Sequence, residues 1–160
     1  MQCLENNGIS EWADRHGLRV GEAFEVVLPN LPAVHRAAYA HGERSGDEET
    51  AASDLVARLG SWSQCIVWIR QWGVWASGED WPAFYGWRGR LNERRSLDIA
   101  PEHLFDSGEK RLLVQLLTLI MENAWDAHIL CAVEGRADRV GARISHDEWF
   151  EILGSPTAIT

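Results

Sequence analysis

The sequence lacks the features that would place it in a specialised class of protein. No apolar run approaches the roughly 20 residues that a membrane-spanning helix needs. The first residues have neither the basic flank nor the apolar core of a signal peptide. We therefore expect a cytoplasmic protein without a membrane segment. The length of 160 residues suits one domain, predicted to span residues 1–160.

Cysteine is also scarce. The chain has 3 cysteines, namely Cys3, Cys65 and Cys131, which are far apart in sequence. Zinc knuckles and disulfide frameworks use several closely spaced cysteines. This spacing therefore favours reduced, buried thiols and argues against a structural zinc site.

The signatures of three common enzyme classes are missing. The chain has no Gly-x-Gly-x-x-Gly after a strand, no Walker-type Gly-Lys-Ser/Thr and no Gly-x-Ser-x-Gly elbow. Nucleotide binding and serine-hydrolase chemistry are therefore unsupported. From the residues alone we predict no catalytic group, no metal and no cofactor.

Tryptophan and negative charge are abundant instead. Six of the 9 tryptophans lie between Trp62 and Trp87, and the net charge is −9. An acidic surface disfavours nucleic acid and anionic lipid and favours a basic partner, although many proteins are acidic without having one. Basic residues are concentrated in one segment, which contains Arg88, Arg90, Arg94 and Arg95. Glu93 lies in the same segment, and we therefore predict that these charges pair with each other within the molecule.

Several helices are expected from their start and stop signals. The first predicted helix spans residues 9–17, with Ser10 near its N-cap. A second, short helix is predicted after Asn30, with Pro32 in its first turn and Gly42 as its stop. A third is predicted to begin at the capping box of Ser45 and Glu48 and to end at Gly60. Two further helices are predicted, one from Asp80 and Pro82 to about Arg95 and one after a capping box of Asp106 and Glu109, with an apolar face of Leu112, Leu113, Leu116, Leu117, Ile120 and Ala124.

The strands follow from β-branched and aromatic runs. We predict strands at residues 24–28 and 127–133 and at residues 139–144, with a short turn at residues 134–138 making the last two a hairpin. Residues 65–75 read as a central strand that is covered on both faces. The expected architecture is a single α+β domain in which helices pack on an antiparallel sheet.

The histidines and their acidic neighbours have two interpretations. Ser145 and Glu148 frame a third capping-box pattern, predicted to open a short helix that Gly154 ends, while Leu104 and Phe105 are predicted to be a hydrophobic staple. Trp125 is expected to fill the core while Asp126 accepts a hydrogen bond. The alternative is a metal or general-base site that combines His103, His128 and Asp126 with His146, Asp147 and Glu148.

The predicted partner-binding surface has two acidic parts. Its residues are Asp47, Glu48, Glu49, Glu79, Asp80 and Trp81. The first three also suit the positive end of a helix dipole without any further function. Trp81 is predicted either to stay partly exposed as a contact residue or to fold back onto Trp75 or Trp87.

The C-terminal two thirds of the chain resembles small bacterial immunity-type proteins, which neutralise polymorphic or contact-delivered toxins. The segments that carry the resemblance are residues 101–105, the acid-started helix from Ser107, residues 125–127 and residues 145–149. The resemblance implies a cytosolic, acidic fold that binds a toxin domain and occludes its active site without chemistry of its own.

We therefore expect a non-enzymatic protein, an immunity protein that blocks a basic toxin domain such as a nuclease and that exists as a monomer or dimer. The rival hypothesis is a small metal- or ligand-binding enzyme that uses the C-terminal His, Asp and Glu residues. A structural subunit of a homo-oligomer is a third possibility.

Overall fold

The computed structural model describes residues 1–17, 19–20, 26–27, 32–40, 46–132 and 140–154. These residues form an antiparallel sheet of 7 strands, a separate two-stranded ladder and 4 α-helices. The strands are β1 Gln2–Leu4, β2 Arg19–Val20, β3 Val26–Val27, β4 Ala33–Ala38, β5 Gln64–Gln71, β6 Glu102–Asp106, β7 Asp126–Ala132, β8 Val140–Ser145 and β9 Trp149–Leu153. The helices are α1 Asn6–Arg15, α2 Asp47–Arg58, α3 Trp81–Arg90 and α4 Lys110–Glu122. The predicted α+β class is confirmed.

The large sheet has the strand order β1-β6-β5-β7-β8-β9-β4, and every neighbouring pair is antiparallel. The ladder of β2 and β3 stands apart from it. Strand β5 lies inside the sheet between β6 and β7, as the apolar run from Cys65 predicted, but it ends at Gln71 rather than Trp75. The hairpin of β7 and β8 is also confirmed, while its turn lies outside the described residues.

The two faces of the sheet bury different side chains. One face carries Val67 and Phe105 into the main core beneath α2, α3 and α4, where Leu55 and Leu116 are fully buried. The other face packs Ile66, Leu104 and Leu130 against Ile9 and Trp12 of α1. Alternation along each strand produces this division, because successive side chains point to opposite faces.

Two helix starts follow the predicted capping chemistry. Asp80 caps α3, since its Oδ1 accepts a hydrogen bond of 2.9 Å from the Ala83 N–H, and Pro82 lies in the first turn. Asp106 and Glu109 form the predicted capping box, which begins a single 3-10 turn that leads into α4. The acids in these segments therefore satisfy helix-end N–H groups.

Two predicted helices are strands in the structure. Residues 33–38 form edge strand β4, and the predicted stop at Gly42 lies outside the described residues. The pattern from Ser145 to Glu148 is a tight turn in which the Glu148 N–H donates to the Ser145 carbonyl, followed by β9. Strand pairing with β8 prevails there, because Trp149, Phe150 and Ile152 favour an extended conformation.

Other predicted boundaries also shift. Helix α1 begins at Asn6 with Glu5 as its N-cap, so Ser10 lies within the helix, and α3 ends at Arg90 instead of Arg95. Leu104 and Phe105 are neighbours in strand β6 rather than a staple, and they point to opposite faces. Of the strand predicted at residues 24–28, the structure describes Val26 and Val27, which are extended. Ser45 lies outside the described residues, and Gly46 occupies the N-cap of α2.

The predicted buried thiols are confirmed. Cys3, Cys65 and Cys131 are all free and buried. Cys65 and Cys131 face each other across β5 and β7, with their sulfur atoms 3.2 Å apart. Complete burial raises the pKa of the Cys65 thiol well above its usual value, which keeps it protonated.

Candidate functional site: an acidic end of the molecule

Several helix ends and turns meet at one end of the sheet. Glu49 of α2, Ala83 of α3 and Glu122 of α4 line a single groove of about 350 Å³. The Asp80 N–H donates to Asn123 Oδ1, which ties the start of α3 to the end of α4. We name this region the acidic end and define it by Asp47, Glu48, Glu49, Trp75, Glu79, Asp80, Glu122, Asp126, Asp147 and Glu148.

Electrostatic coupling across this region is visible at Tyr39. Its hydroxyl donates a hydrogen bond of 3.1 Å to the Ser145 carbonyl. Burial raises the pKa of the Tyr39 phenol, and the negative charges of Glu148, Asp126 and Glu48 raise it further. Carboxylates from α2, β7 and the turn before β9 therefore act on one buried group, which places them in the same neighbourhood.

Glu79 holds this end together from within. Its carboxylate accepts hydrogen bonds from the indole N–H of Trp125, at 2.7 Å, and from that of Trp81, at 2.9 Å. The Gly73 N–H donates to the same carboxylate. Trp125 is fully buried, so the hydrogen bond to Glu79 offsets the free-energy cost of burying the indole N–H of Trp125. This predicted partner-binding residue therefore has a structural role in the loop between β5 and α3.

Trp81 is half-buried and packs against the ring of Trp125. Their ring centroids are 4.8 Å apart, and Trp81 also stacks on Tyr85 at 5.7 Å. The partial exposure predicted for Trp81 is confirmed, while the ring on which it packs is Trp125 rather than Trp75 or Trp87. The predicted role of Trp125 as a core residue is confirmed as well.

The remaining acids of the predicted surface differ in exposure. Asp80 is exposed although one of its oxygens caps α3, and Glu49 is exposed in the first turn of α2. Glu48 is buried, with 6% of its surface accessible, so its carboxylate is not a surface contact group. The structure therefore brings both predicted parts to one end of the molecule, with Glu49 and Asp80 as their outward-facing members.

Two exposed tryptophans in the loop after β5 were missed by sequence reasoning. Trp75 is 62% exposed and Trp72 is 37% exposed. Both were assigned to strand β5, yet they lie in the loop that follows it. Gly73, which has a φ of 79°, marks the point where the extended chain turns away from the sheet, and it was the available signal.

A hollow of about 470 Å³ lies beside Trp75. Its other lining residues are Ala124, His146, Asp147 and Glu148. The carboxylate of Asp126 accepts hydrogen bonds from the backbone N–H of His146, at 2.7 Å, and from its Nδ1, at 2.9 Å. The imidazole is therefore held in one orientation, with Nε2 3.7 Å from Asp147. The prediction that Asp126 accepts a hydrogen bond is confirmed.

The other two histidines of the rival hypothesis lie elsewhere. His103 is fully buried in the main core, within 6.2 Å of the rings of Phe84 and Trp87, and desolvation lowers its pKa to about 3. His128 lies on the opposite face of the sheet, where Arg70 approaches its Nε2 at 3.2 Å, and burial lowers its pKa to about 4. Of the proposed set, only Asp126, His146, Asp147 and Glu148 come together. In the described part of the chain, no three His, Cys, Asp or Glu side chains are arranged to hold a metal ion.

The basic segment is engaged within the fold. Arg95 pairs with Glu93 at 2.6 Å and with Glu5 at 2.7 Å, and its hydrogen bonds lower the pKa of Glu93 to about 2. Arg88 is fully buried, where it donates to the Ala100 carbonyl. The predicted internal pairing with Glu93 is confirmed for Arg95.

Comparisons with protein-family models, with curated proteins and with solved structures find no match to this chain. Among the helices that the structure describes, none has the length and apolar character needed to cross a bilayer. The acidic end is therefore interpreted from its own chemistry.

Proposed function

We propose that this protein is a non-enzymatic binding protein that uses its acidic end to bind a basic protein partner. The observation that carries the proposal is Trp75, which is 62% exposed beside the exposed carboxylates of Asp147 and Glu148. An exposed indole supplies the buried area typical of an interface anchor, and flanking charges supply steering and selectivity.

The electrostatics of the region favour a cationic partner. Helix α4 ends here, and the C-terminal end of a helix carries a partial negative charge, which adds to that of Glu122 and Asp147. The whole chain has a net charge of −9, so a basic protein is attracted from a distance and oriented as it approaches. Long-range attraction of this kind raises the association rate more than it slows release.

Within this class we propose an immunity protein that neutralises a cognate bacterial toxin domain by occluding its active site. A domain that cleaves nucleic acid needs a basic surface to hold phosphates, and the acidic end is complementary to such a surface. Covering that surface would block access of the substrate without any chemistry by this chain. The resemblance of residues 101–105 and 145–149 to immunity-type proteins supports the same assignment.

The test combines the product of the adjacent gene with a charge-reversal pair. Asp147→Lys with Glu122→Lys reverses two charges at the acidic end, whereas Glu11→Lys with Asp14→Lys reverses two exposed charges on α1. We expect the first pair to weaken the complex at least tenfold in calorimetry and to abolish rescue of cells that express the partner. The control pair should do neither. Absence of a complex with the unaltered protein, or equal loss in both pairs, would refute the proposal.

A second candidate function is favoured by the Asp126–His146 pair. A carboxylate that fixes an imidazole beside a hollow is an arrangement used in general-base catalysis. Its test is turnover of ester, phosphoester or amide substrates by the purified protein, with His146→Ala as the inactive comparison and retained metal as a further readout. Activity that survives in His146→Ala, or no activity at all, would remove this candidate.

A further inference from the structure

The hollow beside Trp75 has the chemistry of a receptor for one planar cation. We propose that it binds a guanidinium group, supplied by an arginine side chain of the basic partner. This inference rests on the proposed function, because it names the group that the acidic end recognises.

The size and the wall of the hollow suit this group. Its volume of about 470 Å³ exceeds what one side-chain head group occupies, so the ligand enters with part of its stem. Trp75 lines the hollow and exposes 62% of its surface, which leaves indole area available for stacking. Guanidinium stacks on an indole face through its charge and through its flat shape.

The carboxylates supply the other half of the recognition. Asp147 lines the hollow with a side chain that is 71% exposed, and Glu148 lines it as well. A guanidinium can donate two parallel hydrogen bonds to one carboxylate while its face stacks on a ring, whereas an ammonium group cannot do both. The combination of ring and carboxylate therefore selects arginine over lysine.

The turn fixes the backbone that carries these acids before any ligand arrives. The Glu148 carbonyl accepts a 2.9 Å hydrogen bond from the Tyr39 N–H, and the Glu148 N–H donates to the Ser145 carbonyl at 3.1 Å. Next to it, the Asp126 carboxylate accepts hydrogen bonds from both the backbone N–H and the ring Nδ1 of His146. Binding therefore requires little ordering of the backbone of this turn, which reduces the entropic cost of association.

The test needs no partner protein. N-acetyl-argininamide is titrated into the full chain while NMR follows the backbone amides of residues 146–148, with N-acetyl-lysinamide and the neutral isostere N-acetyl-citrullinamide alongside. One stacking contact and one exposed ion pair give a dissociation constant on the order of 10 mM for the arginine probe. The lysine probe should bind at least about threefold more weakly, and the citrulline probe should not saturate.

Variants locate the binding. Trp75→Leu and Asp147→Asn should each weaken the arginine probe about threefold to tenfold. The matched control is Trp72→Leu, because Trp72 is also exposed but does not line the hollow, and it should leave binding unchanged. Each variant's amide spectrum checks that the fold is intact.

The outcomes separate this inference from the proposed function. If the arginine probe does not bind, binds no better than citrulline or lysine, or loses affinity equally in Trp72→Leu, the guanidinium site is wrong even where a basic protein binds the acidic end. If the probe binds as expected while no basic protein partner does, the site stands and the proposed function falls.

Discussion

Glu102 is the carboxyl group whose ionisation should most affect the stability of this fold. It lies on β6 between Leu4 and Trp68 of the neighbouring strands, with 1% of its surface exposed. Its Oε2 has no hydrogen-bond partner among the described residues. Desolvation raises the pKa of Glu102 to about 8 from an ordinary value of 4.5, so the folded protein keeps this carboxyl protonated at neutral pH.

The sign of the effect follows from proton binding. Between pH 4.5 and pH 8 the folded state holds a proton on Glu102 that the unfolded state has released, so the free energy of unfolding falls as the pH rises. The loss amounts to about 1.4 kcal/mol per pH unit, or about 3 kcal/mol at pH 7. Glu102→Gln keeps the shape and cannot ionise, so we expect it to stabilise the protein by about 3 kcal/mol at pH 7 and hardly at pH 4.

Urea unfolding of both proteins at pH 4, 5, 6, 7 and 8 measures this directly. The difference between the two free energies of unfolding should grow steadily from pH 5 to pH 8. Glu11→Gln is the control for the removal of one carboxylate, because Glu11 is exposed on α1, and it should follow the slope of the unaltered protein. A difference between Glu102→Gln and the unaltered protein that does not change with pH would refute the reasoning.

Three further predictions follow from the core and the helix ends. Ala124 has a φ of 49° at the position after α4 where glycine is favoured, so Ala124→Gly should raise the free energy of unfolding by about 1 kcal/mol in urea, and a decrease would count against this explanation. Glu79→Ala leaves the buried N–H of Trp125 without its acceptor and should cost about 2–3 kcal/mol; an unchanged melting curve would show that the hydrogen bond contributes nothing. Burial lowers the pKa of His103 to about 3, so the free energy of unfolding should fall as the pH drops from 6.5 towards 3. His103→Leu should reduce this fall when unfolding is measured across that pH range, and an equal fall in both proteins would contradict the lowered pKa.

Much of the fold was predictable because local signals and tertiary contacts agree. The apolar face of α4 and its capping box of Asp106 and Glu109 specify one helix. The hairpin of β7 and β8 follows from two short β-branched runs. The helix predicted over residues 33–38 was wrong because the strand conformation there depends on pairing with β9, which is far away in sequence. The helix predicted from Ser145 was wrong because pairing with β8 and the extended preference of Trp149 and Phe150 outweigh the capping-box pattern.

The site was predictable in composition and unpredictable in arrangement. Asp80 and Glu79 were identified as acids beside tryptophans, yet nothing local shows that Glu79 turns inward to three N–H donors. The exposure of Trp75 depends on where β5 stops, and strand ends are set by the length of the neighbouring strands. The proximity of His146 to Asp126 depends on the register of β8 against β7, which a single sequence does not contain.

The sheet is assembled from distant parts of the chain, which affects the order of events during synthesis. Its outermost strands, β1 and β4, belong to the first 40 residues, whereas their partners β6 and β9 begin at residues 102 and 149. At about 5–20 residues per second, a ribosome takes roughly 5–20 s to make the stretch that separates β1 from β6. During that interval β1 has no strand to join. Neither border of the sheet can therefore close until β6 or β9 has been made, and a chaperone or a nascent partner has those seconds in which to reach β1 or β4.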